Sequence, residues 1–189
     1  MLAAALTACA STSSITSRYL APSVAPSASI TLAAQTPEQS IRERYETVCA
    51  GELGTKVTVI PAYTLLSSWA GASPEPLLAV TDTPALLVID LTSLLLPAMQ
   101  MPPGNEVSDA RLGSAAGPTY NTWELGSSRS QDSADVDQVI HVEARLISQS
   151  GTTLWEGIIH THEANDLRAI AQSQCRALAD TLGAHGLLH

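Results

Sequence analysis

Three histidines and one glutamate are spaced so that a single element brings them together. Val136 to Ser148 and Thr152 to Glu163 alternate apolar and polar residues around Ser150-Gly151, the pattern of a β-hairpin. With Ser150 and Gly151 as the two turn residues, position 141 pairs with 160, 143 with 158 and 145 with 156. His141 then faces His160, His162 lies two residues along the same face, and Glu143 sits beside them. Imidazole and carboxylate are donors for Zn²⁺, so His141, His160, His162 and Glu143 make a candidate metal set. A solvated sheet face carries the same residue types, and His-x-His alone is a weak pattern. The expectation that carries more weight is therefore a chain without a cofactor. The same face sets Arg145 opposite Glu156 as a cross-strand ion pair, with Ile158 next to them, and these three residues are a candidate surface for a protein partner.

The three cysteines divide into two roles. Cys49 and Cys175 fall on the apolar stripes of two amphipathic helices expected to cover one sheet face, which predicts a disulfide if the compartment is oxidising; two small buried thiols are the alternative. Cys9 closes the run Met1-Leu-Ala-Ala-Ala-Leu6-Thr7-Ala8-Cys9, which resembles the end of a bacterial lipoprotein signal, where an aliphatic, a small polar and a small residue precede the cysteine that is cleaved and lipidated. A Ser/Thr/Ala/Pro tract follows, giving the order signal, anchor, tether. The run lacks a basic segment and is short for a signal, so the start of translation is expected upstream. Ala10 after Cys9 resembles lipoproteins sent on to the outer membrane, which implies a domain facing the periplasm and a membrane partner reached through the lipid.

These residues need a scaffold. The organisation reads as 1–8, the signal; 9–29, the lipidated cysteine and a disordered flexible tether; and 30–189, a single α/β domain. Thr36-Pro37-Glu38-Gln39 marks a helix start, with Thr36 as N-cap and Gln39 completing a capping box; Ile41, Tyr45 and Val48 or Cys49 recur at helical spacing, and Gly51 or Gly54 ends the helix. Lys56 to Leu66 is rich in strand formers, and Ala85 to Leu96, fenced by Pro84 and Pro97, reads as a buried strand too short to span a membrane. Pro97 to Pro118 reads as a loop and a second candidate contact region, followed by a short strand from Tyr120 to Leu125 and a polar loop from Gly126 to Asp135. Asp166 caps a last helix whose stripe is Leu167, Ile170, Ala171, Cys175, Leu178 and Leu182. On the hairpin, Ile140, Val142, Ala144, Leu146, Trp155 and Ile159 share the face that must pack on the helices. The fold class is α/β in the α+β sense: a mostly antiparallel sheet covered on one face by two helices.

Composition excludes some functions. The net charge is −9 and Lys56 is the single lysine, so a phosphate backbone is repelled and nucleic-acid binding is ruled out; no basic cluster addresses anionic lipid either. Gly51-Glu-Leu-Gly54-Thr-Lys56 lacks phosphate-loop spacing, no nucleophile elbow is present, and cysteines on apolar stripes lack the electropositive setting of a nucleophile. The chain reads as a non-enzyme.

From Val139-Ile-His-Val-Glu-Ala-Arg-Leu146 through Gly151-Thr-Thr-Leu-Trp-Glu-Gly157 into the last helix, the sequence resembles small proteobacterial envelope lipoproteins with an α/β domain. These include auxiliary lipoproteins of lipid-transport ABC systems and lipoproteins with a fold like the N-terminal domain of TolB. The helix from Pro37 departs from the auxiliary lipoproteins, and no site residues carry over. The resemblance implies an accessory or assembly protein of the envelope that docks on another envelope protein. A lipid or small apolar ligand under the sheet is the first alternative, and metal binding the second.

Overall fold

A computed structural model describes residues 11–67, 69, 73–92, 139–162 and 166–189. Six strands, β1 (Thr12–Leu20), β2 (Ser29–Gln35), β3 (Thr58–Pro61), β4 (Ala85–Asp90), β5 (Ile140–Ser148) and β6 (Thr153–His162), form one sheet in the order β1-β6-β5-β4-β2-β3. The β1/β6, β6/β5 and β5/β4 pairs are antiparallel, and β2 runs parallel to both β4 and β3. Helices α1 (Gln39–Leu53) and α3 (Leu167–Ala184) lie together on one face, while α2 (Glu75–Leu78) is a single turn. This is the α+β architecture expected, with the antiparallel pairs in the majority.

Helix α3 forms where its signals place it. The Asp166 carboxylate accepts from the Ala169 amide at 2.9 Å, and Ile170, Ala171, Cys175, Leu178 and Leu182 are buried. Helix α1 starts later than its capping box suggests. Thr36 Oγ1 accepts from the Glu38 amide instead, at 3.3 Å, closing a local turn, and extended Glu38 is the residue before the helix. At the other end Gly54, not Gly51, follows the last helical residue. The strand expected over Lys56 to Leu66 is only four residues long, because Pro61 has no amide to extend the ladder and the chain curls into a 3₁₀ turn over Ala62–Thr64. Of the Ala85 to Leu96 run, Ala85–Asp90 is strand and Leu91 is buried. The continuation from residue 93, the Pro97 to Pro118 loop, the Tyr120 to Leu125 strand and the Gly126 to Asp135 loop lie outside the described residues.

The hairpin pairs as its sequence dictates, by a different route. Gly151, at φ 84°, follows a turn in which its amide bonds to the Ser148 carbonyl at 2.9 Å, making a three-residue loop, Gln149 to Gly151, in place of a two-residue one. That loop displaces the register by one residue near the turn, and the irregularity beyond Leu146 restores it. His141 therefore stands opposite His160, Glu143 opposite Ile158 and Arg145 opposite Glu156.

Thr12–Leu20, expected as flexible tether, is the edge strand β1. Its inward positions carry two serines and one isoleucine, and polar bonds hold them. Ser13 Oγ meets Thr161 Oγ1 at 3.0 Å and accepts from Ser173 Oγ at 2.8 Å; Ser17 Oγ accepts from the Trp155 indole at 3.0 Å; Ile15 packs on the core. From β1 the chain crosses to β2 over residues 21–28, and Ser27 is tied to the C-terminal Leu187 by an amide-to-carbonyl bond of 2.9 Å.

The core lies between the sheet and the two helices: Ile30, Leu32, Leu87, Ile89, Val142, Leu146, Trp155 and Ile159 against Tyr45, Cys49, Leu53, Cys175, Leu178 and Leu182. Trp155 is fully buried, and it fits because residue 157 is glycine: a Cβ there would stand 2.5 Å from the indole ring. The Cys49 and Cys175 sulfurs are at disulfide distance, with Cα atoms 5.2 Å apart, joining α1 to α3 beneath the surface. The Tyr45 hydroxyl donates to Gln174 Oε1 at 2.5 Å, and Gln174 Nε2 donates to Thr161 Oγ1 at 2.9 Å, so α1, α3 and β6 share one buried polar chain. Burial pushes the Tyr45 phenol up, which keeps it a donor.

The second sheet face is not bare. Ala33, Leu86, Val88 and Ile147 pack against Ala62, Trp69 and Leu77 in a smaller cluster, so β2 and β4 are buried on both sides. This covering segment is held by Arg42 and Glu46, 1% and 0% exposed and 3.1 Å apart. Glu46 Oε1 also accepts from the Ala34 amide at 2.9 Å and Oε2 from the Tyr63 amide at 2.8 Å. The Arg42 guanidinium donates to the carbonyls of Leu66 at 2.6 Å, Ser67 at 3.2 Å and Trp69 at 2.5 Å, and lies 5.6 Å from the centroid of the Trp69 ring. Burial raises the Glu46 carboxyl, while the two amides and Arg42 pull it back down.

Two stability tests follow from this packing. Glu46→Gln leaves Arg42 buried without its counter-charge and is expected to cost about 3–5 kcal/mol in urea unfolding. A loss under about 1 kcal/mol would mean that the pair is not what holds the covering segment. Cys175→Ser opens a loop of 126 residues' separation and is expected to cost about 4–5 kcal/mol in the chain-entropy model, whereas in the unchanged chain Cys49 and Cys175 are expected to resist thiol labelling until the protein is both unfolded and reduced.

Candidate functional site

The outer face of the three-stranded unit β1-β6-β5, opposite the helices, gathers the residues singled out for chemistry. Along β5 it carries His141, Glu143 and Arg145, all exposed; along β6 Glu156, Ile158 and His160, half-buried, and exposed His162; along β1 Thr12, Ser14 and Thr16. Alternation about the hairpin fixes this set, and β1 extends it by pairing Thr16 with Ile158, Ser14 with His160 and Thr12 with His162.

His141 and His160 meet directly. Their Nδ1 atoms are 2.9 Å apart and their rings stand edge to face, with centroids separated by 4.8 Å and planes at 89°. One ring must donate and the other accept in that contact, so the tautomers are coupled. The second nitrogen of His160, Nε2, lies 3.3 Å from Thr16 Oγ1 on β1. His162 and Glu143 do not complete a tetrahedral cluster: among the described residues, no three His, Cys, Asp or Glu side chains stand close enough to hold one ion. Glu143 is engaged by Arg18 of β1 at 3.3 Å, an exposed pair of modest strength.

Arg145 and Glu156 are register partners as expected, but their side chains form no ion pair among the described residues. They leave Ile158 flanked by separate charges on a surface that is polar at its edges. Cys9 lies outside the described residues. Thr16 and Arg18 were the residues that sequence reasoning missed. Their signal was the β-branched and aromatic content of Thr12–Leu20, obscured by serines at inward positions where strand patterns carry apolar residues.

No family model and no curated protein sequence matches the chain. Among solved structures, the chain is similar to a dodecamer of a PelC point variant from Paraburkholderia phytofirmans, with a TM-score of 0.45 at 13% identity, covering 90% of this chain and 95% of that one. A PelC dodecamer from the same organism gives a TM-score of 0.43 at 11% identity over 88% and 95% of the two chains.

Proposed function

We propose that the chain is a lipid-anchored periplasmic accessory or assembly protein of the bacterial envelope, held at the outer membrane through Cys9, and that it works by docking on another envelope protein. The observation that carries this reading is the Cys49–Cys175 pair at disulfide distance in the buried seam between α1 and α3. Paired cysteines belong to oxidising compartments, which is where the Leu6-Thr7-Ala8-Cys9 pattern delivers a protein. Two features of unrelated origin, one in the core and one near the N-terminus, thus support the same address. The docking surface is the outer hairpin face around Arg145, Glu156 and Ile158, where an apolar side chain is ringed by charges not spent on one another.

The test is crosslinking in the cell with a photoreactive residue at position 158, followed by purification and mass spectrometry, alongside metabolic labelling with palmitate. Palmitate incorporation lost in Cys9→Ser, together with one defined envelope protein crosslinked at 158, is the expected result. Failure to label would remove the anchor. Labelling without a crosslinked partner would remove the docking role of this face.

A further inference from the structure

We propose that His141 and His160 form a two-imidazole chelate for a divalent transition ion of the copper or nickel type, joining β5 to β6 through their Nδ1 atoms. The distance between those atoms is already one that two ligands on a single ion can span. With metal–nitrogen bonds of about 2.0 Å, two ligands at a right angle stand about 2.8 Å apart, whereas tetrahedral ligands stand about 3.3 Å apart. The observed 2.9 Å, a hydrogen-bond separation, already falls within that span, and the order of affinities of nitrogen ligands for divalent ions places Cu²⁺ first. The rings are already at the ligand separation. Each nitrogen lone pair has only to turn by about 45° toward a shared point on the exposed face, where solvent leaves room for that rotation.

Thr16 supplies the orientation a ligating histidine needs. When His160 Nε2–H donates to Thr16 Oγ1, at 3.3 Å, the lone pair is left on Nδ1, the atom facing His141. The ion replaces the proton shared by the two Nδ1 atoms, and that proton moves to Nε2 of His141 through solvent. Both ligands then remain neutral, and no net proton release is required. The backbone sets the spacing, because 141 and 160 are register partners on adjacent strands. Glu143 is engaged by Arg18, and His162 lies one side-chain repeat further along β6, so among the described residues the chelate consists of the two imidazoles.

Titration of the full chain with Cu²⁺, Ni²⁺, Zn²⁺ and Mn²⁺, with free thiols alkylated, tests the assignment calorimetrically; electron paramagnetic resonance of the Cu²⁺ form counts the nitrogen ligands. The expected result is one Cu²⁺ per chain, bound more tightly than Ni²⁺ or Zn²⁺, with Mn²⁺ weakest. His141→Ala and His160→Ala are each expected to weaken Cu²⁺ binding at least tenfold, and Thr16→Val roughly threefold to tenfold, with thermal melts confirming that these surface variants fold. His162→Ala is expected to change it less than twofold. Undiminished Cu²⁺ binding in the His141→Ala/His160→Ala double variant would overturn the site, and an equal loss in His162→Ala would overturn the two-imidazole chelate in favour of a three-histidine centre.

Discussion

The fold turns on a carboxylate that has no access to water. Glu46 projects from the middle of α1 into a gap bounded by β2, the 3₁₀ turn and the segment that follows it. It fills that gap with acceptors for the Ala34 amide, the Tyr63 amide and Arg42. A buried charge is tolerated only when every lone pair and proton is answered, and here the answers come from three separate stretches of chain. Arg42 hands the constraint on by collecting the carbonyls of Leu66, Ser67 and Trp69, which seats the small cluster on the second sheet face. Among the described residues no buried side-chain nitrogen or oxygen lacks a partner, so the polar interior is fully connected.

Around this point the molecule is assembled in two layers by different means. The helix-covered face relies on aliphatic packing and on Trp155, admitted by the missing side chain at Gly157. Two surface pairs, Lys56–Asp180 at 3.0 Å and Arg176–Glu52 at 3.4 Å, bracket the α1/α3 seam outside, but exposed pairs add little beside the cysteine link within it. The opposite face relies on polar anchoring. Thr31, Thr81 and Thr83 are buried and satisfy one another, with Thr31 Oγ1 2.8 Å from Thr83 Oγ1.

How much of this was legible in the sequence depends on whether a residue's neighbours are local. The hairpin and α3 were readable because alternation and the 3.6-residue stripe are local signals, and the Cys49–Cys175 pairing followed once both stripes shared one face. The histidine pair came from register alone. Glu46 was not readable: an i,i+4 Arg-Glu pair on a helix normally marks a solvated face, and only the return of Tyr63, Leu66, Ser67 and Trp69 across it makes it core. Nor was β1. Its Ser13 and Ser17 are inward because Thr161 and Trp155 bring polar groups to meet them, and such partners lie about 140 residues away. The solvent-face ion pair of Arg145 with Glu156 does not form although the two are register partners, and the ion pair this face does carry, Arg18 with Glu143, depends on the third strand.

That third strand also shortens a leash. A flexible tether of about twenty residues would let a domain wander about 25 Å from its anchor. Because β1 is ordered from Thr12, only three residue steps separate position 9 from the sheet, and their full extension is about 10 Å. A lipid on Cys9 would therefore act less as a mooring line than as a pin through one corner of the sheet. The Thr12 end of β1 and the His162 end of β6 would be drawn to the membrane plane, and the imidazole row would rise from it. A partner for such a domain has to be at the membrane already, since a pinned sheet cannot search the space beyond its own length.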